Sequence, residues 1–440
     1  MISRVGRPGT AAPGLGRASG TAMYVAAVLG PGVLTLPGLA ERVAGSSALL
    51  AWAALIALSW PIAATFARLG VRRPGASGVL DYCAAVFGRR FAVGVGRCFW
   101  FAIPVGTPAA ALMAGGYVGA VTGSGRVASA VMGIGLTVVV AAVNLGRVAT
   151  TARLQLVLSG VLAVFLVLCT AGSLSEANAA NLQPFAPHGV GGVVRAVGVL
   201  VWGFAGWEAV ASLSGEFRDR ARDIVVAARR AVIVIGVLYA GVALAVTSVL
   251  GPAAGTEQAP LAGLLQQAMA RNAAHAVAAA VAVALTAGVM NAYFAGAAHL
   301  TARLASAGGL PRWLASADDE RTRRRRSVLT LAGLSTAGIL LAAAARLDLL
   351  MLVSATSALL AVVCAACVYA AWVMARQDGR GGLVEAAASL GSVVMALAAG
   401  PFLVVPAAVI LVPAVGNYAV RVAARLRRAP RRRPGRRLGV

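Results

Sequence analysis

The chain has 440 residues, 60% of them hydrophobic and only 12% charged, with a mean hydropathy of +0.84. That composition excludes an ordinary soluble globular protein and indicates a polytopic membrane protein. The net charge of +25 does not point to a nucleic-acid partner, because the 39 basic residues, all arginine, lie between apolar runs and in the C-terminal tail.

Residues 1–20 form a polar tail containing Arg, Gly and Pro, read as cytoplasmic. No small-residue cleavage site follows, so a retained first span is expected rather than a signal peptide. Apolar runs of about 18 residues or more qualify as spans, and twelve are expected along the chain. The first, 21–42, carries Gly30-Pro31-Gly32 in its middle. Pro31 has no N–H and crowds the preceding turn, while the flanking glycines permit unusual dihedrals. The stretch reads either as a proline kink or as a true interruption, which at membrane depth is tolerated only against protein or a wet cavity. Four further runs follow at 46–69, 92–121, 127–146 and 153–173.

The sixth run, 190–213, contains Trp202-Gly203-Phe204-Ala205-Gly206-Trp207-Glu208, with two glycines and a carboxylate where a span is ordinarily apolar. Broken segments at matching places in two halves of a chain mark a transporter's central site. Runs at 229–251, 272–304, 328–345 and 348–375 complete the second half, and 383–400 and 402–422 stand outside it. The domains expected are therefore a core over 21–375, two peripheral helices over 383–422, and a basic cytoplasmic tail over 423–440. The core divides into repeats at 21–173 and 190–375.

Arginine placement tests this arrangement. With both termini inside, 34 arginines fall on the cytoplasmic side and only Arg42, Arg126, Arg195, Arg271 and Arg346 on the other. The connection after the second run is arginine-rich, whereas its counterpart at 252–271 is nearly neutral and holds a short apolar piece. That reversal is what an inverted repeat of five spans requires.

Other residues admit plainer readings. Cys364 and Cys367 form C-x-x-C inside a run, where they are two small apolar residues, and no metal or cofactor is expected. No His/Asp/Glu constellation suggests an enzyme. Glu208 is the one acidic residue placed well inside a span, and intramembrane ionisable groups are functional by default. It is the candidate proton carrier, with helix capping as the rival role. Trp202, Phe204, Trp207, Asn291 and Tyr293 are candidate gating or lining residues, with Phe204 the better gate, against ordinary packing or interhelical bonding.

With these motifs in order, the chain resembles the amino acid–polyamine–organocation permeases over about residues 20–425. Gly30-Pro31-Gly32-Val33 followed by Leu36-Pro37 is similar to that family's G-x-G-[IV]…LP signature. Phe204-Ala205-Gly206-Trp207-Glu208 through Gly215-Glu216-Phe217 and Arg222-Asp223 is similar to its F-x-G-x-E…EF…RD stretch. Ile103-Pro104-Val105-Gly106, with Pro108-Ala109-Ala110, resembles the branch exporting methionine and branched-chain amino acids. Arg220 and Val225 stand where the family often has prolines, and the lysine that replaces sodium in some members is missing.

The resemblance implies an all-α fold of twelve transmembrane helices, in which two inverted five-helix repeats (a LeuT-like arrangement) are followed by two peripheral helices. It implies a plasma-membrane secondary transporter of amino acids, with the lipid bilayer as its surroundings and a proton ahead of sodium as coupling ion. A zwitterion needs both charges satisfied away from water. Amides after the first break suit the carboxylate, assigning it to Gly30, Pro31 and Gly32. Carbonyls at the second break suit the ammonium, assigning it to Phe204, Ala205 and Gly206. The alternative, a permease for polyamines or other organocations, would want more acidic groups than Glu208 alone.

Overall fold

A computed structural model describes residues 16–72, 78–123, 125–146, 152–207, 217, 219–316, 319–379 and 381–412. The chain is all-helical. Helices α1 (Arg17–Val28) and α2 (Leu36–Ala44) are the two halves of the first apolar run, and α3 spans Ala48–Arg72. Next come α4 (Val79–Phe87), α5 (Arg89–Thr122), α6 (Arg126–Leu145) and α7 (Ala152–Ser173). Beyond these lie α8 (Gly189–Leu200), α9 (Arg220–Ala245), α10 (Pro260–Leu265) and α11 (Arg271–Ser306). The last elements are α12 (Glu320–Ala344), α13 (Leu349–Gln377) and α14 (Leu383–Leu397).

Eight helical segments are long and apolar enough to cross a bilayer, and they coincide with runs two to five and seven to ten. A ninth candidate is a pair, Leu383–Leu397 with Gly400–Val412, bent by 101°. Runs one and six are not continuous helices. The structure thus counts eight or nine spans by length, against the twelve runs expected from sequence. The difference lies in the two interruptions and in the bent final pair.

Proline explains how the first run is divided. Pro31 stands at the first position of a 3-10 turn, Pro31–Leu34, and Pro37 near the start of α2. At a helix start the missing N–H costs nothing and the fixed φ helps, so both prolines begin segments rather than distort one. At the C-terminal end of α9 the backbone passes into a π turn, Val246–Leu250, and then a 3-10 turn, Gly251–Gly255. The short piece after it is not a loose loop. Every residue of α10 is buried, and the Leu261 amide donates to the Tyr117 hydroxyl of α5.

Helix α5 is the central post, packed against α4, α6, α11, α12 and α13. At the periphery, α6 and α7 expose Val131, Val138, Val161 and Val164, the apolar surface that a bilayer requires. Ion pairs tie helix ends together. Arg17 of α1 bonds Asp223 of α9 at 2.7 Å, Arg68 of α3 bonds Glu385 of α14 at 2.7 Å, and Arg303 of α11 bonds Asp81 of α4. At the opposite end Arg42 of α2 pairs with Asp348, which also caps α13 through the Leu350 amide.

The Arg42 guanidinium beside Asp348 holds its carboxyl below the usual carboxylate range. A depressed carboxyl contributes stability above its unfolded value and loses it as pH falls through the folded one. Both side chains are over a third exposed, so the contribution is modest, about 0.2–1 kcal/mol. Asp348→Asn should therefore lower the melting temperature of the detergent-solubilised protein slightly at pH 7. The gap to the parent should close when the melt is repeated near pH 3.

Candidate functional site: two helix interruptions beside an apolar cavity

The first interruption is built by Leu29 and Gly30, which are non-helical between α1 and the Pro31–Leu34 turn. The second follows α8. A 3-10 turn, Val201–Phe204, ends at Ala205, whose φ of −71° and ψ of 148° are extended, and Gly206 takes φ +123°. Only glycine adopts that angle without strain.

The two places touch. A Cβ on Gly206 would stand 2.4 Å from the Ala27 carbonyl oxygen, and one on Gly203 would stand 2.8 Å from Leu36 Cδ1. The Tyr239 hydroxyl of α9 lies 2.8 Å from the Gly203 oxygen and 3.3 Å from the Val28 oxygen. One phenol therefore spans a carbonyl from each interruption. Its ring packs edge-on against Trp52 and Phe204, with centroids at 5.3 and 5.2 Å.

The Val28 oxygen at the end of α1 and the Gly203 oxygen of the 201–204 turn both reach this junction. Partial negative charge therefore gathers where these helices stop. Gly30 is open: a Cβ there would meet nothing closer than the Val28 oxygen at 3.9 Å. Gly32 is buried against Leu36.

A cavity of about 570 Å³ adjoins the second interruption. Phe99, Ile103 and Thr107 of α5 form one wall, Met290 and Tyr293 of α11 another, and Thr356 of α13 a third. Trp202 closes one end, where a Cβ on Gly106 would stand 3.0 Å from Thr356 Cγ2 and 3.8 Å from Trp202 Cζ2. The Trp202 amide donates to Ser357 Oγ, which itself donates to the Val199 oxygen. The far end reaches Arg303 and the Gly78–Leu80 stretch that begins α4. Among the described residues Arg303 is the charged group in the lining.

Of the expected set, Trp202 and Tyr293 line this cavity. Phe204 is turned into the aromatic cluster with Trp52 and Tyr239, and Trp207 is buried against Leu55 and Ile62 of α3. Asn291 accepts a hydrogen bond from Asn144 Nδ2 of α6 at 2.8 Å and is absent from the cavity lining, so it joins helices rather than facing the cavity. Glu208 lies outside the described residues, as does Glu216. Cys367 contacts Cys83 of α4, with the sulfurs 3.9 Å apart, and both are buried.

Tyr239, Thr356 and Phe99 were not singled out in the sequence. A tyrosine in an apolar run reads as packing, and only the fold shows that its hydroxyl reaches two carbonyls. Glu41 is a second omission: it looks like the solvated end of a run beside Arg42, yet it is 4% exposed.

These features define a multi-pass integral membrane protein with a discontinuous pair of helices beside an apolar cavity. An amino acid permease family model matches residues 15–422, and the chain belongs to that family. It is 35% identical over 231 residues to the L-methionine/branched-chain amino acid exporter YjeH of Escherichia coli, covering 52% of this chain and 54% of that protein. It is 27% identical over 205 residues to the uncharacterized amino acid permease YecA of Bacillus subtilis, covering 47% and 48%. It is 29% identical over 243 residues to the uncharacterized transporter Rv1999c of Mycobacterium tuberculosis, covering 54% and 53%. Each match spans about half the length of the relative.

Gly206→Ala should prevent correct assembly, because the new methyl meets the Ala27 backbone and the backbone angle is strained; a loss of several kcal/mol is expected, seen as a collapsed monodisperse peak in size-exclusion chromatography. Tyr239→Phe keeps the ring and should cost about 0.5–1.5 kcal/mol, read as a lowered melting temperature with the peak retained.

Proposed function

We propose that the protein is a secondary transporter that moves amino acids across the plasma membrane by alternating access, with the substrate held at the junction of the two interruptions. The observation that carries this reading is the contact of the two breaks beside Trp202, which puts peptide groups of both breaks at the edge of an apolar cavity. The substrate carboxylate binds the amides around Gly30, Pro31 and Gly32. The ammonium binds carbonyls of the Phe204–Gly206 stretch, and the side chain extends past Trp202 toward Phe99, Ile103 and Thr356.

Membership of the amino acid permease family supports an amino acid substrate, and the exporter from Escherichia coli supports outward transport of methionine and branched-chain residues. The apolar lining fits those side chains. It disfavours polyamines, whose separated charges would each need a partner. Twelve spans in two inverted repeats plus two peripheral helices, both termini cytoplasmic, agree with the arginine distribution. A proton is the favoured coupling ion, with Glu208 retained as one carrier.

A β-carbon at position 30 is accommodated, its nearest neighbour being the Val28 oxygen at 3.9 Å. Gly30→Leu should therefore give a folded protein that no longer binds labelled methionine in a scintillation-proximity assay. Undiminished binding would place the carboxylate elsewhere. Gly296 lines the cavity, and a Cβ there meets nothing within 4 Å. Gly296→Leu should cut counterflow of leucine and methionine in proteoliposomes by roughly tenfold relative to alanine, since pocket volume discriminates side chains on that scale.

A further inference from the structure

Glu41 stands on α2, on the side of the junction away from the arginine-rich connections. It is 4% exposed although it carries a carboxyl group. One oxygen, Oε2, accepts from Thr247 Oγ1 at 3.1 Å, and Oε1 has no hydrogen-bond partner among the described residues. Thr247 belongs to the π turn at the end of α9, and such turns collect at functional positions. The neighbouring Ser248 Oγ is also buried without a partner. The turn is pinned from outside by Asn181, whose side-chain amide donates to the Ser248 and Val249 oxygens, and by the Asn178 amide, which donates to the Ser248 oxygen.

Among the described residues no cation balances this carboxyl. The elements packed on α2 are α8, α3, the 31–34, 45–47 and 251–255 turns, and the π turn. The charged or titratable groups that they and their flanks carry near Glu41 are His188 and Arg195 of α8, Glu257 after the 251–255 turn, and Arg42 beside Glu41 itself. All four are exposed, and Arg42 is committed to Asp348. Those on α3, Arg68 and Arg72, are at its opposite end. A carboxylate in such a place is costly unless it is neutralised.

We infer that Glu41 is a proton-binding site of the outer gate: it takes up a proton when α2 closes on the π turn of α9 and releases it to the external water when they part. This rests on the topology proposed above, which puts α2 on the external side, and it is independent of the substrate. The closed arrangement then binds one more proton than the open one, so acid outside favours closure and alkali favours opening. The proton exchanges with the external water alone, so the site sets the position of the gate without a lysine and apart from Glu208.

The test reads the gate itself. In the full chain with its five cysteines replaced, Ala254→Cys places a thiol at a site that is 1% exposed and packed on α2, where a Cβ on Gly38 would stand 2.6 Å from the Ala254 oxygen. Val190→Cys, at a position 80% exposed, is the reference thiol. Intact cells are treated with a membrane-impermeant methanethiosulfonate. The labelling ratio of buried to reference thiol cancels the pH dependence of the reagent.

The ratio should rise by about threefold or more from external pH 6 to pH 8, as expected for a group whose proton binding differs between two states. It should be low and flat in E41Q. Thr247→Val removes the hydrogen bond that holds this carboxyl across the closed gate and should move the transition to lower pH, which keeps the inference testable if E41Q does not reach the membrane. A flat parent, an E41Q response equal to the parent's, or an unmoved T247V transition overturns it. A ratio that follows external sodium at fixed pH replaces the proton with a metal cation, and a reference thiol that never labels from outside overturns the sidedness. Failure of amino acid counterflow alone leaves this readout intact, so the two readings fail separately.

Discussion

The rest of the structure depends on two chain interruptions pressed together under one phenol. Interrupted helices leave backbone groups that hydrocarbon cannot satisfy, at several kcal/mol apiece. Here each break provides shelter for the other. Gly206 lets the second break lie on the Ala27–Val28 backbone, and the Tyr239 hydroxyl occupies carbonyls that would otherwise face the core. The surrounding helices supply an apolar wall for this small polar volume. Trp52 and Phe204 hold the phenol ring, and α5 passes behind with Tyr117 bonded to the Leu34 oxygen on the far side of the first break.

That constraint also accounts for the position of the cavity. The chain cannot run straight through 201–207, so the indole of Trp202 is delivered to the space between α5, α11 and α13 while Phe204 turns the other way. Polar backbone and apolar side-chain space are thus adjacent without mixing. A molecule that is charged at one end and greasy at the other fits such a boundary, which is the chemistry of the family to which the chain belongs.

Much of this was legible in the sequence, for definable reasons. Membrane character follows from composition, and eight of the runs became single helices because length and hydropathy suffice to define a span. Gly30-Pro31-Gly32 and Gly203-x-x-Gly206 announced their breaks because proline and glycine act locally. What failed to show were relations between distant residues. Asn291 could be read as a lining group or as an interhelical bond, and its side chain is bonded to Asn144, while Glu41, not singled out in the sequence, is buried. Neither partner is close in sequence, and hydropathy does not encode which face of a helix meets which neighbour. The final pair read as two separate runs, whereas the structure bends it by 101° beside Gly400, whose φ is +54°.

The bond from the Trp202 amide to Ser357 has a mechanical corollary. One end of this stretch is moored to α13 by that bond, and the other, at Gly206, rests on α1. Any sliding of α1 past α13 must be absorbed within the five residues from Trp202 to Gly206, two of them without side chains. The stretch that adjoins the cavity is therefore also the tether between α1 and α13.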